Sequence, residues 1–161
     1  MLPGSQIRKL NRLERKVDRL EQKCDVASLA NFLGHDNVLV YSRAREALER
    51  IAGDTGIDPL LPVLGHPIGA VRAEISRMLG KIGDPRAVPA LVPLLVETGG
   101  IHGKNGRATR FSSNETISSI TAGALGRIGD TSAKDALIGA LADGEFPGLR
   151  EPLLGALVAQ G

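Results

Sequence analysis

Aromatic side chains are nearly missing from this chain: one tyrosine, three phenylalanines and no tryptophan stand among 161 residues. Its core must therefore be aliphatic, built from Leu, Ile, Val and Ala, and binding modes that stack bases or sugars on rings lose support. Cys24 is the only cysteine, which excludes an intrachain disulfide and a cysteine-based zinc site. Its place near a turn between two helices predicts a small buried or half-buried thiol. No apolar run approaches the roughly 18 residues of a membrane span, and MLPGSQIRKLNRLERK has no signal-peptide core. A cytoplasmic protein with no membrane contact is expected. Net charge is only +2, but residues 1–24 hold seven basic side chains against three acidic ones, leaving +4 there and −2 elsewhere. Both a solvated terminal helix face and an anionic partner fit that asymmetry.

What the chain does have is a period. Shifted back by 31, Ile75, Leu79, Ile82, Val88, Leu91 and Leu95 fall on Ala44, Leu48, Ile51, Ile57, Leu60 and Leu64. A second shift of 31 brings them to Leu13, Val17, Leu20, Val26, Leu29 and Leu33. Forward by 46, Leu79, Ile82, Leu91 and Leu95 meet Leu125, Ile128, Leu137 and Leu141, and Gly80, Gly83 and Asp84 recur as Gly126, Gly129 and Asp130. A further 32 carries Leu125 to Leu157 and Ile117 to Leu149. Units of this length cannot bury their own apolar faces and stack to do so, which makes the fold an all-α solenoid. One domain is expected, with repeats near 7–35, 36–66, 67–97 and 114–144, a partial one over 145–161, and an insertion at 98–113.

Each unit reads as a helix pair. Apolar positions 71, 75, 78, 79 and 82 follow the spacing of one helical face. Gly83 suits the left-handed residue that ends a helix, Asp84 the next N-cap, and Pro85 its first turn. Pro89 and Pro93 should delay or bend the second helix. Gly53-Asp54 ends the earlier first helix, and Thr55-x-x-Asp58 and Ser112-x-x-Glu115 read as capping boxes. Helices are predicted near 7–23, 25–33, 38–52, 57–65, 71–82, 86–97, 115–127, 133–142 and 148–159. Leu79, Ile82, Leu91, Leu125 and Leu137 should be almost fully buried.

The string VRAEISRMLGKIGDPRAVPALVPLL resembles the short HEAT-like repeat of the phycobilisome (PBS) lyase type. Val71, Arg72, Leu79, Gly80, Ile82, Gly83, Asp84, Pro85, Arg86, Ala87, Val88, Pro89, Leu91, Leu94 and Leu95 fit the pattern, and Ile75 departs from its usual Ala. Units 36–65 and 114–143 fit more loosely, and 7–33 by period alone. The resemblance implies a right-handed stack of helix pairs with second helices on the concave side. Members include bilin-attaching lyase subunits, nucleic-acid-handling modules and proteins that only hold partners, so fold does not fix function.

Catalytic chemistry is sparse. His35 and His66 sit at equivalent places in successive repeats, roughly 8–10 Å or more apart by helix packing, too far to share one metal ion. Each reads as a helix-end histidine favoured by the dipole. The paired His-Glu motifs of deoxyhypusine hydroxylases are not matched by His35-Asp36, His66-Pro67 or His102-Gly103. Arg45, Arg72, Arg86 and Arg127 are expected to pair with Asp54, Asp84 or Asp130 across repeats. No nucleophile, acid–base pair or metal cluster emerges, and no cofactor is expected.

Two regions stand out as candidate partner-binding sites. The insertion TGGIHGKNGRATRFSS offers His102, Lys104, Arg107 and Arg110 to an acidic partner or to phosphates, or is a mobile connector. The last helix carries Leu149, Leu153, Leu154, Leu157 and Val158, more apolar residues than one buried face needs. Leu153 and Leu157 are therefore expected to meet another protein, a second copy of the chain or further repeats. The expected function is a non-catalytic scaffold that binds another protein through its concave face and the insertion. An accessory subunit of a bilin lyase or chaperone-type complex, and a nucleic-acid-binding module, are the alternatives.

Overall fold

Every regular element is helical among the described residues of the computed structural model, which are 4–97, 101, 116–142 and 150–158. The fold is the all-α helix-pair repeat of an α-solenoid. The chain, expected from its length to form one domain, gathers into two compact units, Met1–Val63 and Leu64–Gly161.

The first unit holds α1 (Gly4–Gln22), α2 (Val26–Ala30) and α3 (Val38–Thr55). Asp25 caps α2 by accepting a hydrogen bond from the Ser28 amide at 3.0 Å, and Asn37 caps α3 through the Leu39 and Val40 amides. Val17, Leu29 and Leu48 are fully buried. Cys24 is exposed, not buried, because it takes the left-handed conformation (φ 51°) that closes α1. Likewise α3 runs through Gly53 and Asp54 to Thr55, whose hydroxyl donates back to the Ile51 carbonyl. Thr55 therefore makes no capping box, and Gly56 (φ 81°) ends the helix instead.

Second helices are shorter than the period implies wherever proline interrupts them. The segment predicted as a helix over 57–65 is a turn followed by one 3-10 stretch, Leu61–Gly65, with Pro59 and Pro62 lacking the amides an α-helix needs. The next unit contains α4 (Gly69–Ile82), α5 (Val88–Leu91), α6 (Ile117–Ile128), α7 (Thr131–Ala142) and α8 (Arg150–Val158). Pro89 and Pro93 confine α5 to a single turn between 3-10 stretches at Pro85–Ala87 and Val92–Val96. Gly83 (φ 77°) and Gly129 (φ 68°) end α4 and α6 in the left-handed conformation, and Asp84 accepts from the Arg86 amide, as the sequence predicts.

Leu79, Leu91, Leu125 and Leu137 are completely buried. Ile82 is not: it is 44% exposed, because it is the last residue of α4 and the chain turns away at Gly83. First helices stack through glycine. A Cβ placed on Gly80 would lie 2.5 Å from the Ala124 Cα, and one on Gly126 would lie 2.7 Å from the Ala156 Cβ. Thus α4 packs on α6, and α6 on α8, by the same small-residue contact displaced by one repeat. Ala70, Ala73, Ile117 and Ile120 form a further apolar cluster, and Ile101 joins it at 8% exposure. One residue of the 98–113 insertion is thus a core residue.

Candidate interaction surfaces

The sequence of α1 sorts its charges by face. At 100° per residue, Arg8, Lys9, Arg12, Arg15, Lys16 and Arg19 fall within roughly one third of the helix circumference, shared only with Ser5. All six are exposed. The acidic residues of α1 fall outside this arc, and two of the three, Asp18 and Glu21, are paired with arginines of α3. Asp18 pairs with Arg43 at 2.7 Å, and Glu21 accepts two hydrogen bonds from Arg50 at 2.5 and 2.9 Å, which holds its carboxyl below the usual range. Arg15 and Arg19 donate their Nε–H to the Asn11 and Arg15 carbonyls, while Lys16 lies 5.7 Å from the centre of the Phe32 ring. Among the described residues no carboxylate pairs with any of these six. The charge count of residues 1–24 indicated this surface; the cross-helix neutralisation of its acids needed the structure.

In the second unit, a groove of about 150 Å³ is lined by Arg77, Ser119, Ile120, Gly123 and Arg127. Ser119 and Thr116 form a reciprocal capping box, so the Ser119 hydroxyl donates to the Thr116 carbonyl and is not free to donate to a ligand. The groove escapes sequence reasoning because Arg77 and Arg127 occupy different positions in their repeats. Of the residues singled out in the insertion, His102, Lys104, Arg107 and Arg110 lie outside the described residues, as do Ser112 and Glu115 of the expected capping box.

The apolar end is smaller than expected. Leu153 is only 1% exposed and so cannot be a partner-binding residue, because it lies on the side of α8 that packs on α6. Leu157, equivalent to the fully buried Leu125, is half-buried. Leu154 and Val158 form the open part, at 40% and 80% exposure; Leu149 lies outside the described residues. Their equivalents one repeat earlier, Ala122 and Gly126, are both buried.

The two repeated histidines share a role different from the one expected. His35 Nδ1 accepts the Asn37 amide at 3.0 Å, and His66 Nδ1 accepts the Ile68 amide at 3.1 Å. Each ring therefore serves as a hydrogen-bond acceptor that closes the turn before the next helix, rather than as a donor to a helix C-terminus. Burial lowers the pKa of His66, with the neighbouring Arg72 acting in the same direction. Among the described residues no group of three His, Cys, Asp or Glu side chains could hold a metal, and no helix is long and apolar enough to cross a membrane. Three of the four arginines expected to pair across repeats instead pair within their own repeat. Arg86 binds Asp84, Arg45 binds Glu49, and Arg72 reaches both Glu97 and the His66 carbonyl.

Comparison with known families places two matches on this frame. Residues 26–100 match the model for HEAT repeats, and residues 121–143 match that for the PBS lyase HEAT-like repeat. A search of curated proteins returned no match. The first match covers α2 to the insertion, and the second covers most of α6 and α7. The glycine-stacked first helices and the Gly-Asp turns fall within the same repeats, and the chain is a HEAT-like repeat protein of the PBS lyase type.

Proposed function

We propose that this protein is a non-catalytic scaffold that holds another protein, using its second-helix face, the 98–113 insertion and the outer side of α8. HEAT repeats in general mediate protein interaction and scaffolding. The observation that carries the reading is the contrast between α8 and its equivalents. Gly80 and Gly126 each admit the first helix of the following repeat, whereas α8 has Val158 at that position. A further helix cannot approach α8 as α6 approaches α4, so what covers Leu154, Leu157 and Val158 must meet them with a different shape. Covering a large apolar side chain is worth roughly 1.5–3 kcal/mol, and exposed contiguous apolar surface marks interaction sites.

Affinity capture from native extract, followed by mass spectrometry, tests the proposal when run in parallel on the wild type and on Leu154→Glu/Val158→Glu. A specific protein retained by the wild type and lost from the variant supports it. Equal retention by both, with the variant folded, would remove α8 from the interface. Localisation in the cytoplasm belongs to the same proposal and is checked by fractionation.

A further inference from the structure

We propose that the basic face of α1 is a docking surface for the phosphate backbone of duplex DNA, bound without regard to sequence. This function is distinct from protein scaffolding and rests on different residues.

Six cations on one face of α1 are neutralised by no carboxylate among the described residues. Arg43 and Arg50 of α3 already neutralise Asp18 and Glu21. These pairs join Asp18 and Glu21 of α1 to α3, and Arg8, Lys9, Arg12, Arg15, Lys16 and Arg19 remain facing solvent. Arg8, Arg12, Arg15 and Arg19 recur at the helical spacing of one stripe. At 1.5 Å per residue the stripe is about 16 Å long, matching the axial rise of roughly five phosphates on one DNA strand. The Nε–H groups of Arg15 and Arg19 are tied to backbone carbonyls one turn earlier, which restrains the stem of each side chain and leaves the terminal nitrogens to bind outward. Guanidinium forks suit phosphate oxygens.

The same face argues against other anionic partners. A protein interface centres on aromatic or aliphatic anchors, and the only non-basic residue on this arc is Ser5. Membrane-surface helices insert a continuous apolar face, but of the apolar residues described on α1 Val17 is buried, Leu10, Leu13 and Leu20 are half-buried, and Ile7 at 44% is the one exposed. Single strands are held by stacking on aromatic rings, and this arc has none. What remains is a row of cations on a rigid rod, the complement of a rigid, regularly spaced polyanion.

The test is fluorescence anisotropy of the full chain with a labelled 20-base-pair duplex of random sequence, titrated between 50 and 200 mM KCl. Four arginines engaging phosphates predict a log–log slope of about −3.6, a fall in affinity of roughly 100-fold over that range. Arg8→Gln/Arg12→Gln/Arg15→Gln/Arg19→Gln should abolish binding with an unchanged circular dichroism spectrum, while the four Arg→Lys replacements should retain it. A charge-matched control, Lys81→Gln/Arg127→Gln/Lys134→Gln/Arg150→Gln, should bind as the wild type does. The proposal is overturned by a shallow salt slope in the wild type, which needs no variant to fold. Equal loss in the control, or equal or tighter binding of the single strand, duplex RNA or poly-glutamate, would overturn it as well.

Discussion

Two glycines three residues apart on α6 should respond to the same substitution with opposite signs. Gly123 has nothing within 4 Å of where a Cβ would stand, whereas a Cβ on Gly126 would meet the Ala156 Cβ at 2.7 Å and its Cα at 2.9 Å. Replacing an unhindered helical glycine by alanine stabilises by about 0.8–1 kcal/mol. At 126 the same gain is opposed by overpacking, which costs typically 1–3 kcal/mol. Gly80 is tighter still, since its Cβ would come within 2.5 Å of the Ala124 Cα. Gly123→Ala should therefore raise Tm by about 2–4 °C, and Gly80→Ala should lower it by a similar amount or more. The obstacle at Gly80 is backbone, so adding Ala124→Gly should not rescue Gly80→Ala. Differential scanning calorimetry of these three variants decides the matter. If Gly80→Ala is as stable as Gly123→Ala, or if the double variant recovers wild-type Tm, first helices do not stack through these glycines.

Other consequences are independent of that contact. Leu79→Ala should cost about 2–5 kcal/mol in urea unfolding, whereas Ile82→Ala, on an exposed helix end, should cost well below 1 kcal/mol. Ile101→Ala should destabilise by about 2 kcal/mol or more, while deletion of 103–112 should leave Tm nearly unchanged because loop length carries little free energy. Removing residues 100–110 would take a core side chain with it and should destabilise. Stability should also fall as pH drops below 6.5. His66 has a folded pKa below its ordinary value, so the unfolded chain binds more protons in that window, and stability is fully present only above it. Asparagine at 66 can still accept the Ile68 amide, so His66→Asn should flatten the change in urea midpoint between pH 7.5 and 5.5. A steeper loss in the variant would contradict a neutral His66. Below about pH 4, protonation of Glu21, Asp25, Asp84 and Asp130, all held below their ordinary values by hydrogen bonds to their charged forms, should remove further stability.

Period alone located Leu79, Leu91, Leu125 and Leu137, because a residue that recurs at one place in every unit faces the same neighbour in each. It failed at Ile82, where identity matches Ile51 and Ile128 but the helix end does not reach its neighbour. It also failed at 57–65, since apolar spacing says nothing of the amides that Pro59 and Pro62 lack. Ile101 was hidden by its surroundings: a single isoleucine in a run of glycine and cations carries no periodic signal, although in space it joins Ala70 and Ile117. The basic face of α1 was legible as a count of charges, but not as an unneutralised surface. That required knowing that Arg43 and Arg50 lie opposite Asp18 and Glu21, twenty-five and twenty-nine residues away in the chain.

The recurring string Leu-Gly-x-Ile-Gly-Asp holds two glycines with separate duties, and the structure tells them apart. Gly83 and Gly129 take a left-handed backbone that a side chain would strain, so they end a helix whatever packs nearby. Gly80 and Gly126 are ordinary helical residues, required only because another first helix comes close. The first glycine therefore reports a neighbour and the second reports a turn. In α3 the neighbour-reporting position is Glu49, which pairs with Arg45 along its own helix; in α8 it is Val158, largely exposed. Close glycine stacking is thus a property of α4, α6 and α8 together, and Val158 departs from it at the exposed side of α8.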